Sequence, residues 1–119
     1  MVSLDSFKYA LRGVKVVLSS ERNARIHLVF AILAIAAGIV LQISLYQASL
    51  VVLAIVLVFF AEIVNSAIEK TLDITNTESN QMVKLVKDMT AAGVLVTAVG
   101  AVLVGILVFG PRVWQLIFK

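Results

Sequence analysis

Apolar and polar positions follow two different patterns along this chain. Between residues 6 and 20, Phe7, Ala10, Leu11, Val14, Val17 and Leu18 recur at i, i+3, i+4 and i+7 spacing, while Lys8, Arg12, Lys15 and Ser19 take the opposite side. This spacing predicts an amphipathic helix over 6–20 that lies in a membrane interface with its cationic side in water. A cytosolic helix packed on its own chain is the alternative. Further along, the polar side disappears. Three predominantly apolar runs, at about 26–45, 48–72 and 86–110, are each roughly 20–25 residues long, enough for a hydrocarbon core crossed at ~1.5 Å per residue. The first run follows a charged stretch and precedes no small-residue cleavage site, so it reads as a span and not as a signal peptide. Gln47 and its neighbours leave room only for a tight helical hairpin between the first two spans. The stretch 74–86, rich in Thr, Asn, Ser and Gln, reads as the second loop. In the third span Gly93, Thr97, Ala101 and Gly105 recur every fourth residue, a spacing that lets a helix of the same chain or of another approach closely in lipid.

The predicted fold is all-α and integral to the membrane, with three transmembrane helices and an amino-terminal amphipathic surface helix in one domain over 1–119. Composition agrees, because 61% hydrophobic and 14% charged residues in 119 exceed what a soluble domain of that size can hide. The chain has no cysteine and one histidine, His27, which excludes disulfides and a thiolate zinc site. Five of its ten basic residues precede residue 26, which favours an anionic membrane surface or phosphate groups over nucleic acid. Lys and Arg flank the first span and the second loop, while the first hairpin loop has none. The positive-inside rule then places the amino terminus and the second loop in the cytoplasm and the carboxyl terminus outside. Trp114 fits an interfacial anchor there.

Polar positions return within the second span as a stripe. Glu62, Asn65, Ser66, Glu69 and Asp73 fall at i, i+3, i+4, i+7 and i+11, on one side of a helix. An ionisable group in or near a bilayer is costly and marks a functional site. The predicted orientation gathers Glu21, Glu62, Asn65, Glu69, Asp73, Lys87 and Asp88 at one membrane face, with Glu62 the deepest. No phosphate loop, dinucleotide fingerprint or serine-hydrolase elbow occurs. Carboxylates with a lysine suit Mg²⁺ and nucleotide phosphates, since Mg²⁺ takes oxygen ligands from one or two carboxylates plus substrate. A deeper carboxylate can take a proton from a lipid hydroxyl, completing the parts of an interfacial phosphoryl transfer. Other assignments stay open at this point. Glu62 suits the proton-carrying carboxylate of a small transporter, and a non-catalytic membrane scaffold is a further possibility. Glu69 and Lys70 suit interfacial caps, Lys87 and Asp88 an exposed pair opening the third span, and His27 an interfacial polar residue.

Three segments carry a resemblance. AEIVNSAIEKTLD (61–73) resembles the Glu-x-x-Asn…Glu…Asp signature of the prokaryotic diacylglycerol kinase family. VKDMTAAGVLV (86–96) is similar to its second signature around a Lys-Asp pair, and YALRGVKVVLSSERNARIH (9–27) to its surface helix and the acidic turn after it. The resemblance covers nearly the whole chain. It implies a small homotrimeric kinase of the bacterial plasma membrane, with its active site on the cytoplasmic side, that moves the γ-phosphoryl of ATP to a lipid hydroxyl with Mg²⁺. It implies Glu62 as catalytic base and Glu21 and Glu69 as carboxylates holding Mg²⁺ with the ATP phosphates. It also implies Tyr9, Asn65, Glu78, Lys87 and Asp88 near ATP, with Glu62 and Asn65 facing the lipid. His27, Asn80, Leu85 and the ending FGPRVWQLIFK look like the family's undecaprenol-phosphorylating branch, with diacylglycerol the alternative acceptor.

Overall fold

The computed structural model describes residues 3–75 and 80–119. They form four α-helices: α1 (Leu4–Ser20), α2 (Arg22–Val40), α3 (Leu45–Thr75) and α4 (Gln81–Ile117). The predicted helical class and the number of long apolar helices hold, since α2, α3 and α4 are each long and apolar enough to cross a membrane.

The helix boundaries differ from the expected spans, and local hydrogen bonds explain why. Ser3 accepts from Ser6 N–H at 3.2 Å and opens α1 ahead of residue 6. Glu21 alone, in extended conformation (φ −110°, ψ 116°), separates α1 from α2, so α2 begins at Arg22 and not near 26. Arg25 Nη1 donates to Leu18 O and Ser19 O at 3.0 Å each, satisfying carbonyls that the end of α1 would leave unpaired.

Between α2 and α3 the turn is residues 41–44. Gln42 takes a left-handed backbone (φ 52°), Gln42 N–H donates to Ile39 O and Ile43 N–H to Gly38 O. Those two bonds form a Schellman motif with glutamine where glycine is usual. The Ile43 side chain lies over Gly38, its Cδ1 3.0 Å from where a Cβ would sit. Ser44 and Gln47 then form a reciprocal capping box: Gln47 N–H donates to Ser44 Oγ at 3.1 Å and Ser44 N–H to Gln47 Oε1 at 3.0 Å. Gln47 therefore belongs to the first turn of α3 and not to the link, and α3 starts at Leu45 instead of 48.

The second loop is shorter than 74–86. Helix α3 runs through Thr75, and Asn80 caps α4 by accepting from Met82 N–H at 2.7 Å. Helix α4 also continues past 110, through Pro111, to Ile117. At ~1.5 Å per residue, α3 is about 46 Å long and α4 about 55 Å, so both overrun a ~30 Å hydrocarbon core.

The α3–α4 hairpin is the most extensive packing in the molecule, with α2 laid chiefly against α3. The buried positions of α2 are Ala24, Ala31 and Gly38, a small residue every seventh position. Small residues of this kind allow close helix approach in lipid. The predicted close-approach stripe on α4 does not play this part within the chain: a Cβ on Gly93 or Gly105 would meet nothing within 4 Å. Large side chains such as Phe30, Leu53 and Leu107 face outward, as lipid-facing surfaces require.

Candidate functional site

Helices α2, α3 and α4 alternate in direction, so the start of α2, the end of α3 and the start of α4 share one end of the bundle. Three contacts across helices show this: His27 to Glu62, Glu21 to Lys70, and Lys87 to Asp73. The end of α1 reaches the same place through the Glu21 elbow.

Glu62 lies 17 positions beyond Leu45, about 26 Å along the axis, where the uncharged part of α3 ends. It is 2% exposed, and Ser66, one turn on, is 1% exposed. Burial of a carboxylate at this depth is costly unless it is partnered. Yet Glu62 Oε1, Asn65 Oδ1 and Ser66 Oγ are buried without a hydrogen bond among the described residues. His27 Nε2 stands 3.5 Å from Glu62 Oε1, its nearest polar neighbour across helices but outside hydrogen-bond geometry. Three buried polar atoms without partners on one helical face call for a function, since such groups are rare in folded proteins.

Around this buried face lie two ion pairs closer to solvent. Lys70 Nζ lies 3.2 Å from Glu21 Oε1, joining α3 to the α1–α2 elbow. Lys87 Nζ lies 2.6 Å from Asp73 Oδ1 across the hairpin. The charges of Glu21 and Glu69 both act on Glu62, and those of Glu69 and Asp73 on Lys87, so these residues share one electrostatic neighbourhood. Glu21, Glu62, Asn65, Glu69 and Lys87 are thus gathered at one end. Asp88 and Tyr9 are exposed and join none of these pairs. Glu78 lies outside the described residues.

Two carboxylates on separate elements, Glu21 and Glu69, supply the hard oxygen donors that Mg²⁺ prefers. The described residues contain no group of three or more His, Cys, Asp or Glu able to hold a metal. The donors present therefore fit a Mg²⁺ ion that arrives with phosphate oxygens and completes its shell with them and water. They do not fit a metal held by protein ligands alone.

His27 is a neighbour of Glu62 as well as an interfacial polar group, and Lys70 is the partner of Glu21 as well as a cap. Arg25 closes the end of α1. Each contact joins two helices, and helical periodicity within one segment carries no signal for it. Ser66 stood in the polar stripe, and its burial beside Glu62 sets it apart.

From His27 along the spans, α2, α3 and α4 line a partly open apolar groove of about 560 Å³. Phe30, Ala34, Ile55, Phe59, Ala101 and Gly105 are among its walls. Of the described residues that line it, His27 alone has a polar side chain.

Comparison with known proteins supplies the wider context. The model of the prokaryotic diacylglycerol kinase family matches residues 8–109. A diacylglycerol kinase of Synechocystis sp. is 35% identical over 103 residues, which are 86% of this chain and 59% of that protein's length. An undecaprenol kinase of Bacillus subtilis is 32% identical over 107 residues, 90% of this chain and 87% of that protein.

Proposed function

The chain belongs to the prokaryotic diacylglycerol kinase family, and from that premise we propose that it is an integral-membrane lipid kinase. It transfers the γ-phosphoryl of ATP to the hydroxyl of a membrane lipid, undecaprenol in the first reading, at the cytoplasmic face of a bacterial plasma membrane. The observation that carries the proposal is the buried Glu62 Oε1, unpaired and adjacent to Asn65 Oδ1, at the point where the apolar part of α3 gives way to its charged end.

In the proposed reaction the lipid hydroxyl oxygen attacks the γ-phosphorus. Its O–H bond breaks and the proton goes to the Glu62 carboxylate. The bond from the γ-phosphorus to the bridging oxygen breaks, and ADP leaves with that electron pair. Glu21 and Glu69 would hold Mg²⁺, which when bound neutralises phosphate charge and orients the chain of phosphates. Lys87 would place a point cation on the phosphates. Asn65, one turn from Glu62, would contact the hydroxyl or the transferred group, and Tyr9, Glu78 and Asp88 would border the nucleotide. The apolar groove beside His27 suits part of a hydrocarbon chain, with the hydroxyl turned toward Glu62. Assembly as a homotrimer is part of the proposal.

Diacylglycerol is the second reading of the acceptor, supported by the name of the Synechocystis relative. The undecaprenol reading is supported by His27, Asn80, Leu85 and the carboxyl-terminal sequence, and by the name of the Bacillus relative. Both named relatives are kinases, which leaves the transporter and scaffold readings of Glu62 without support. The deciding experiment offers the purified protein γ-labelled ATP with undecaprenol and diacylglycerol side by side. Labelled undecaprenyl phosphate in excess of labelled phosphatidic acid is expected. Substrate uptake into vesicles with no labelled lipid would overturn the kinase reading.

A further inference from the structure

We infer that His27 is a positioning residue for Glu62, holding its carboxylate so that one oxygen faces the incoming lipid hydroxyl. The inference rests on the lipid-kinase reading above and adds a residue to it.

Three observations carry it. The His27 Nε2 to Glu62 Oε1 distance is 3.5 Å, the nearest approach of any cation-capable group to this carboxylate among the described residues. The other charges acting on Glu62 are Glu21 and Glu69, which are of like sign and cannot orient it by attraction. Finally, His27 belongs to two environments at once: it lines the apolar groove and is 22% exposed, while the carboxylate it approaches is 2% exposed. His27 thus borders the groove on one side and Glu62 on the other.

An N–H on Nε2 of His27 faces one Glu62 oxygen and leaves the other for the substrate. The contact is longer than a hydrogen bond. Catalytic contacts of this kind are often long before substrate arrives and shorten in the reacting complex. Helix α2 supplies the rigidity, since it is fixed at its start by the Arg25 bonds to α1 and by the close seating of Ala24 and Ala31.

The test compares His27→Ala, His27→Phe and His27→Gln in the full-length protein in lipid. Loss of the donor is expected to lower kcat by about 10–100-fold, the scale on which residues that orient a working group act. KM for ATP is expected to stay within about twofold, since the nucleotide site is left in place. His27→Phe fills the same space without a donor and should match His27→Ala, whereas His27→Gln keeps an N–H donor and should recover most of the rate. Adding His27→Ala to Glu62→Gln should cost nothing further, because the two act as one unit. Independently of turnover, the imidazole ¹⁵N signals of His27 should move when Glu62 is changed to Gln. Parental kcat in both His27→Ala and His27→Phe, additive losses in the double variant, or unmoved imidazole signals would each overturn the inference. A parent protein that labels no lipid would bring down the lipid-kinase reading and this inference together. A parent that labels lipid, matched by its His27 variants, would bring down this inference alone.

Discussion

Lys87 Nζ lies 2.6 Å from Asp73 Oδ1, so the α3–α4 hairpin is joined by charge at the end where the candidate site sits. Both side chains are substantially exposed, and exposed ion pairs contribute little net stability. The pair is therefore better understood as holding a cation near Glu69 than as a brace. Lys87→Ala should weaken Mg-ATP binding by about tenfold, the loss of one charge-assisted contact to phosphate. Asp73→Asn should leave the melting temperature almost unchanged. Titration calorimetry with a non-hydrolysable nucleotide reads the first effect; parental affinity in Lys87→Ala would remove this residue from the nucleotide site.

Arg25 makes a different kind of contact. Its guanidinium closes two carbonyls at the end of α1, reaching across the Glu21 elbow. Hydrogen bonds from charged donors contribute about 1.5–3 kcal/mol. Arg25→Ala should lower the melting temperature and, by loosening Glu21, raise the Mg²⁺ concentration needed for half-maximal rate. Arg25→Lys, with one compact cation in place of a fork, should recover only part of either loss. An Arg25→Ala protein with a parental Mg²⁺ requirement would show that the elbow holds Glu21 without it.

The elements of this fold were legible where one segment carries its own period. The surface helix follows from Phe7, Leu11, Val14 and Leu18, and the spans from the length of their apolar runs. Their ends were less so, although Ser44 and Gln47 spell a capping box and Asn80 is a good N-cap residue. High apolar content obscured those signals, because hydropathy places a span within lipid but does not say where its helix begins. The stripe through Glu62, Asn65, Ser66 and Glu69 was legible for the same reason as the helices. The pairings His27–Glu62 and Glu21–Lys70 were not, since which residues meet across two helices depends on their rotation and offset. The small residues of α4 suggested close approach, whereas α2 buries its own at Ala24, Ala31 and Gly38. Four-residue spacing alone does not reveal which neighbour a helix has.

Gln42 offers a test of the fold apart from the chemistry. Its φ of 52° lies in the left-handed region, where a residue with a Cβ is held at some cost. Gln42→Gly removes that strain but frees the unfolded chain, and the two effects leave a net gain of up to about 1 kcal/mol. A rise of a few degrees in melting temperature, with kcat unchanged, is expected in detergent. A fall would mean that the Gln42 side chain contributes more than its backbone strain costs.

Metal dependence separates the roles of the carboxylates. Chelation should stop lipid phosphorylation reversibly, with Mg²⁺ restoring it. Glu21→Gln and Glu69→Gln should each move the Mg²⁺ activation curve to higher concentration, because each removes one anionic oxygen donor. Glu62→Gln should leave the midpoint of nucleotide-dependent Mg²⁺ binding in place. If all three variants shifted that midpoint equally, Glu62 would be a metal ligand and its assignment as base would fail.

Glu62→Gln is also the most direct test of the chemistry. The substitution keeps size and hydrogen-bonding capacity, so the neighbouring Ser66, Asn65 and His27 keep a polar companion of the same shape. It removes the negative oxygen that accepts the hydroxyl proton. Losing a general base costs about 10²–10⁴ in rate. Because Glu62 is buried with an unpaired oxygen, neutralising it also removes a costly buried charge. The variant should therefore be at least as stable as the parent while its turnover collapses, and it should bind Mg-ATP unchanged. Higher stability with lost activity is the signature of a residue kept for function and not for packing. Near-parental turnover at saturating lipid would instead make Glu62 structural and pass the role of base to Asp88, the remaining carboxylate near the start of α4.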